Sequence, residues 1–341
     1  KYTPPTGYKK LNTFNLPDSS ITDGSEYMNP VLYTGDGVNG RSITGVGFNT
    51  NFLWIKDRSS ANRHSLHDII RGAGQRLISD GTDAESSTGS HPSFITDGFT
   101  IPSSTAYNSS GNSYVAWNWR GSDSSAVSNT DGTITSTVSA NTTSGFSVVT
   151  YTATGNGNDT VGHGLGIAPK VVLLKSRSTT GDWIYYTTQI DGSLDYLYLN
   201  QTASKADSGW TAPSSTVFPP SNTTNGTTMV AYCFAEVEGF SQFGSYTGNG
   251  SADGPFVYTG FRPAFVMIKA YDTTSSWTMV DSQRNTYNVC DKYLVAQASD
   301  AEATTTIMDF TSNGFKIRYS NTKAWIYMAF AENPFKHSLA R

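Results

Sequence analysis

The chain has 341 residues, of which 15% are charged and 13% aromatic, with a formal net charge of −4. Charge well below the roughly 25% of an average soluble protein, no basic run and no apolar stretch of membrane-spanning length argue against phosphate-led nucleic-acid binding and against membrane insertion. At about 100–200 residues per domain the length allows two or three domains, and a chain rich in Gly, Ser, Thr, Asn and aromatics predicts short strands joined by tight turns.

Residues 1–24 read as a lead-in. A first unit, residues 25–120, opens on Tyr33-Thr-Gly-Asp-Gly37 and continues through the apolar run Phe52–Lys56. His64–Arg71 follows, with spacing that fits a strand or a short turn of helix. Phe99–Ile101 predicts another strand, and Val115-Ala-Trp-Asn-Trp119 closes the unit. Residues 121–144 are mostly Ser, Thr, Asn and Gly, the composition of a linker.

The second unit, residues 145–238, repeats the pattern: Tyr151-Thr-Ala-Thr-Gly155, the run Val171–Lys175, then Trp183–Tyr186, Tyr196–Leu199 and Val230-Ala-Tyr-Cys-Phe234. The third, residues 239–336, repeats it again: Tyr246-Thr-Gly-Asn-Gly250, Phe265–Lys269, Phe315–Ile317 and Trp325–Phe330. Residues 337–341 form a tail. Repetition of this kind outranks any single motif in deciding architecture. Short apolar runs flanked by Gly and Pro are buried strands rather than helices, and the Asp-Gly and Asn-Gly pairs between them suit hairpin turns. The expectation is an all-β protein of three tandem β-sandwich or jelly-roll-like units. Unit three follows unit two without a spacer, which predicts a rigid pair, with unit one freer behind its linker.

Candidate chemistry is sparse. His64, His67, His91, His163 and His337 lack the company of ligands that a metal needs and read as loop or surface residues. Gly162-His-Gly-Leu-Gly166 leads into Pro169 and a strand, so it reads as a tight turn rather than a phosphate loop. Asp83 and Glu85 in unit one match Asp300 and Glu302 in unit three. Such acids could hold Ca²⁺ or do acid–base work, or sit solvated in a hairpin loop. Most tryptophans fall inside strand runs and read as core. Trp210 stands in a Ser/Thr/Pro loop with no counterpart in the other units, and is the candidate ligand-binding aromatic. Cys233 and Cys290 read as unpaired thiols. No catalytic residue and no cofactor is expected.

The stretches Val127–Thr142, Thr160–Pro169, Gly244–Phe261 and Ala329–Phe335 resemble structural proteins of tailed, especially marine, bacteriophages. The resemblance runs from about residue 20 to 336. In those proteins such units often follow a SPRY-like domain, and Tyr2–Pro17 resembles the exit from one. The resemblance implies a location in the virion. It makes a tail fibre or appendage component the leading expectation, with a host cell-surface glycan or receptor and other virion proteins as partners, acting as a homo-oligomer, most plausibly a trimer. A capsid decoration or cement protein is the alternative, and a glycan-degrading tail spike a third reading.

Overall fold

The computed structural model describes residues 5–6, 20–221 and 223–333. Most of the lead-in, the tail and His337 lie outside the described residues. The described chain is all-β apart from short helical turns, of which Thr105–Asn108 is the α-helical one.

One strand arrangement occurs three times. The lysine-ended runs become the strands Phe52–Asp57, Val171–Ser176 and Arg262–Ala270. Each pairs antiparallel with the strand that closes its unit: Ser113–Trp119, Thr228–Phe234 or Ala324–Asn333. On its other side each pairs with Ser65–Asp68, Ile184–Thr187 or Thr278–Asp281. The opening strands Met28–Thr34, Phe146–Thr152 and Ser241–Thr247 flank the closing strands. Register is also shared. Trp119 faces Phe52, Phe234 faces Val171, and Phe330 faces Phe265. A slip of one residue would turn every side chain to the opposite face, so shared register gives the three sheets the same inward and outward residues.

These sheets are buried on both faces, which is why their middle strands are continuous apolar runs rather than alternating ones. The outer face of unit one carries a smaller sheet of Arg41–Thr44, Gly98–Ile101 and Ser93–Ile95. Ile43, Phe99 and Ile101 pack there against Leu53 and Ile55. In unit two Val161 and Phe218 cover Val149, Val172 and Leu174. In unit three the outer strands Ala303–Thr311, Gly314–Ile317 and Phe256–Tyr258 continue the main sheet and fold back against Arg262–Ala270.

The inner faces of all three sheets meet in one core. Trp119, Phe234 and Phe330, equivalent residues of the three closing strands, touch one another in a triangle of edge-to-face rings. Their centroids are 6.3, 5.8 and 5.8 Å apart. Around them Phe52 of unit one stacks on Tyr232 of unit two at 4.1 Å, and Phe265 of unit three meets Trp117 of unit one at 5.9 Å. Each of the three segments therefore touches both others through these rings, which closes them into a ring around one core. The greater freedom expected for unit one is corrected: its inner face is part of the common core.

The linker expectation is corrected as well. Within residues 121–144, Val127–Asn129 and Ser136–Asn141 are strands that extend the sheet of unit two beyond Phe146–Thr152. Thr is at home in strands. Val138 supplies the apolar buried contact and Thr137 the exposed face, while Ser136 and Ser139 are buried beside Val138.

The recurrent Tyr-Thr-x-x-Gly motif has a local cause. Gly37, Gly155 and Gly250, each four residues after the motif tyrosine, have φ of 75°, 79° and 75°, the left-handed region that glycine enters without strain.

Candidate functional site

The interfaces of the ring are built from equivalent parts. Trp183 Nε1 of unit two donates to the Ile78 carbonyl of unit one at 2.6 Å, and Trp277 Nε1 of unit three donates to the Tyr198 carbonyl of unit two at 2.9 Å. His64 Nε2 of unit one meets the Val295 carbonyl of unit three at 3.1 Å, which closes the circle. Three backbone bonds of 2.8 Å accompany them: Glu85 N–H to the Arg177 carbonyl, Lys205 N–H to Tyr271, and Glu302 N–H to Arg58.

This frame absorbs the acids singled out as candidate ligands. Glu85 accepts from Arg71 and Arg177, and Glu302 from Arg58 and Arg284. Burial pushes both carboxyls up, but their arginine partners outweigh it and hold them below the ordinary range. Asp83 pairs with Arg63, and Asp300 is exposed at the rim of a cleft in unit three. The two acid pairs lie at different interfaces of the ring and do not converge. Among the described residues there is no group of three or more His, Cys, Asp or Glu that could hold a metal.

The surface reading of the histidines is corrected. His64, His67 and His163 are fully buried. His67 Nε2 and His91 Nδ1 both reach the Tyr107 hydroxyl, at 3.1 and 3.2 Å. His163 Nδ1 accepts from the Leu165 amide at 3.2 Å, inside the tight turn expected there. Cys233 and Cys290 are free and buried.

Sequence reasoning took Lys56, Lys175 and Lys269 only as strand ends. All three are fully buried. Lys175 Nζ donates to the Thr82 carbonyl of unit one at 3.2 Å, and Lys269 Nζ donates to the Thr202 carbonyl of unit two at 2.8 Å. Lys56 stays within its own unit, on the carbonyls of Asp57 and Ser60. The available signal was one lysine at the same place in three repeats, where an ordinary surface position would vary.

Trp210 is half-buried on the outer face of unit two, between the short strands Ala206–Asp207 and Val217–Phe218. Its amide is held by Ser208 Oγ at 3.1 Å, and the preceding Gly209 has φ of 67°. The ring edges a cleft of about 380 Å³, with Asn158, Asp159, Thr160, Ser214 and Phe218 also lining it. Gly157 also borders it, and a Cβ there would stand at ordinary contact distance, 3.9 Å, from the Trp210 ring. Asp159 is held in place by Thr133 Oγ1 at 2.9 Å and by Thr154 Oγ1. An aromatic edge beside fixed carboxylate, amide and hydroxyl groups can take up a small neutral polyol, with apolar contact on one side and hydrogen bonds on the other.

No curated protein and no solved structure matches the chain. One family model matches residues 23–334, all three units together, and on that match the chain belongs to the family described as domain of unknown function DUF7483.

Proposed function

We propose that this protein is a non-enzymatic structural and adhesion module of a virion, a tail-fibre or appendage component that holds a host surface glycan non-covalently at the Trp210 cleft. The observation that carries the reading is the division of labour within the fold. Conserving geometry across three units, the ring takes up the candidate acids Glu85 and Glu302 as interface ion pairs, whereas Trp210 stands outside that geometry on a loop beside a cleft. Rigid frames that present loops are a common way to build binding sites. Presentation in several copies, as a homotrimer, would raise weak contacts through effective concentration.

The test is a glycan array probed with the wild type and with Trp210→Ala. Binding by the wild type that the variant loses supports the reading. Equal binding by both, or none by either, removes the Trp210 site.

A second reading, a decoration protein seated on other virion proteins, is favoured by one observation. Phe256, Tyr258, Tyr287 and Val289 of unit three are all exposed, at 46%, 65%, 85% and 42%. Phe256 and Tyr258 stand on the terminal strand of the outer sheet, and Tyr287 and Val289 precede its strand Cys290–Val295; large exposed apolar side chains on one sheet suit a contact surface. Localisation of the chain in an electron-microscopy map of the particle separates the two: on the shell for decoration, on a projecting appendage for adhesion.

A further inference from the structure

Units two and three carry an open cleft at the same place, on the outer face of the main sheet. In unit three it is bordered by Ile268, Thr278 and Trp325; in unit two by their equivalents Leu174, Ile184 and Met229. Each measures about 480 Å³, within the range of small-ligand sites. The fold does not require this opening. In unit one the equivalent Ile55 and Tyr114 are covered by the helical turn Thr105–Asn108, whose Tyr107 is 1% exposed and packs into the outer core.

The lining of the unit-three cleft is chemically divided. Its apolar side is aromatic, with Tyr293, Tyr319 and Trp325, and Trp325 is fixed through Nε1 to Asn321 Oδ1 at 2.8 Å. Its polar side presents Thr305, Thr306 and Gln297. The equivalent cleft of unit two replaces Trp325 with Met229 and is lined mainly by Ser, Thr and Asp182. Aromatic surface opposite hydroxyl and amide groups matches a molecule with an apolar ring face and a rim of hydroxyls. Among the described residues that line the cleft there is no Lys or Arg, and Asp300 stands at its rim, so an anionic ligand is not what it fits.

We propose that the cleft of unit three is a saccharide site, separate from the Trp210 cleft and independent of whether that cleft binds. A pyranose would lie against Tyr293 and Tyr319, with its hydroxyls toward Thr305, Thr306 and Gln297.

The experiment is titration of the intact chain, labelled on Ile, Leu and Val methyls, with a panel of neutral mono- and disaccharides at millimolar concentration. Saturable shifts of Ile268, Leu294 and Ile307 are expected with at least one sugar, and they persist in Trp210→Ala. Tyr293→Ala is expected to weaken that binding about tenfold. The paired substitution Thr305→Val and Thr306→Val, which keeps strand-favouring side chains on an exposed stretch, is expected to weaken it several-fold. No saccharide shifting the cleft methyls overturns the proposal. So does binding that both variants leave unchanged, or shifts confined to residues near Trp210. Loss of cleft shifts in Trp210→Ala would show one site, not two, and overturns it as well.

Discussion

Trp54 Nε1 donates to His64 Nδ1 at 2.8 Å within the inner core of unit one. An indole can only donate, so Nδ1 carries no proton and Nε2 holds the one that is given to the Val295 carbonyl. Units two and three have Leu173 and Met267 in place of Trp54, and Trp183 and Trp277 in place of His64. Where the neighbour has no donor, an indole reaches the next unit directly. Where the neighbour is itself a donor, a histidine accepts from it and passes a bond onward. The exchange is therefore a matched pair. Trp54→Leu alone is expected to cost about 2–4 kcal/mol through lost volume and an unused His64 nitrogen. The double variant Trp54→Leu with His64→Trp reproduces the arrangement of unit two and is expected to recover part of it. A double-mutant cycle from denaturant unfolding measures the coupling, and strict additivity would refute the pairing.

Acid is expected to destabilise the protein through the same residue. Burial pushes His64 down to about 3 and holds His67 and His163 below the ordinary imidazole range. Between the unfolded value near 6.5 and these lower folded values, the unfolded chain binds more protons. Stability is thus full above pH 6.5 and falls as the pH drops toward 3. Urea midpoints across that range should decline, and His64→Gln should flatten part of the slope.

A second interface relation predicts the cost of a buried carboxylate. Tyr232 of unit two donates to Asp68 Oδ2 of unit one at 2.8 Å, and Trp117 of unit one donates to Asp281 Oδ2 of unit three at 3.0 Å. Each acid also pairs with a buried arginine three residues on, Arg71 or Arg284. At the remaining interface the equivalents are Met328, Thr187 and Ile190, so acid, arginine and donor are replaced together. Asp68→Ala leaves the buried Arg71 only Glu85, which it shares with Arg177, and is expected to cost about 3 kcal/mol. The triple variant Asp68→Thr, Arg71→Ile and Tyr232→Met copies the apolar interface, and its midpoint should lie above that of Asp68→Ala.

The buried lysines give an unusual alkaline profile. Desolvation lowers Lys56, Lys175 and Lys269 to about 8 each. From pH 8 toward the unfolded value of 10.5 the unfolded chain binds more protons, so stability is expected to rise. Burial raises Cys233 and the tyrosines Tyr33, Tyr232 and Tyr246. Their contribution is lost above the unfolded values near 9 and 10. The expected curve climbs from pH 8 to 9, flattens, and falls above 10. A Lys175→Met variant should climb less, and a monotonic fall from pH 8 would contradict the buried, charged assignment.

Ring closure makes the chain a single folding unit. A fragment of residues 25–120 would expose Phe52, Trp54, Trp117 and Trp119, all buried in the shared core, at about 1.5–3 kcal/mol for each large side chain. The excised unit is expected to be unfolded or aggregated, and the intact chain to unfold in one calorimetric transition. A separate early transition for unit one would refute the closed ring.

Much of the local structure was legible in the residues. Phe52–Lys56, Val171–Lys175 and Phe265–Lys269 declared buried strands, and the Asp-Gly and Asn-Gly pairs suited turns, because strand period and glycine freedom act over a few residues. The repeat itself fixed which positions correspond. Trp210 stood out for lacking a counterpart, and the tertiary structure gave it a cleft. Other features depended on partners far away in the chain. A lysine at the end of an apolar run looks solvated until the Thr82 or Thr202 carbonyl arrives over it. Glu302 looks like a free loop acid until Arg58, in another unit, pairs with it at 2.7 Å. The Ser- and Thr-rich stretch before residue 145 looks like a linker until Phe146–Thr152 offers an edge to pair with. Hydrophobic pattern tells a strand that a face will be covered, but which surface covers it is settled only when three sheets close on one core.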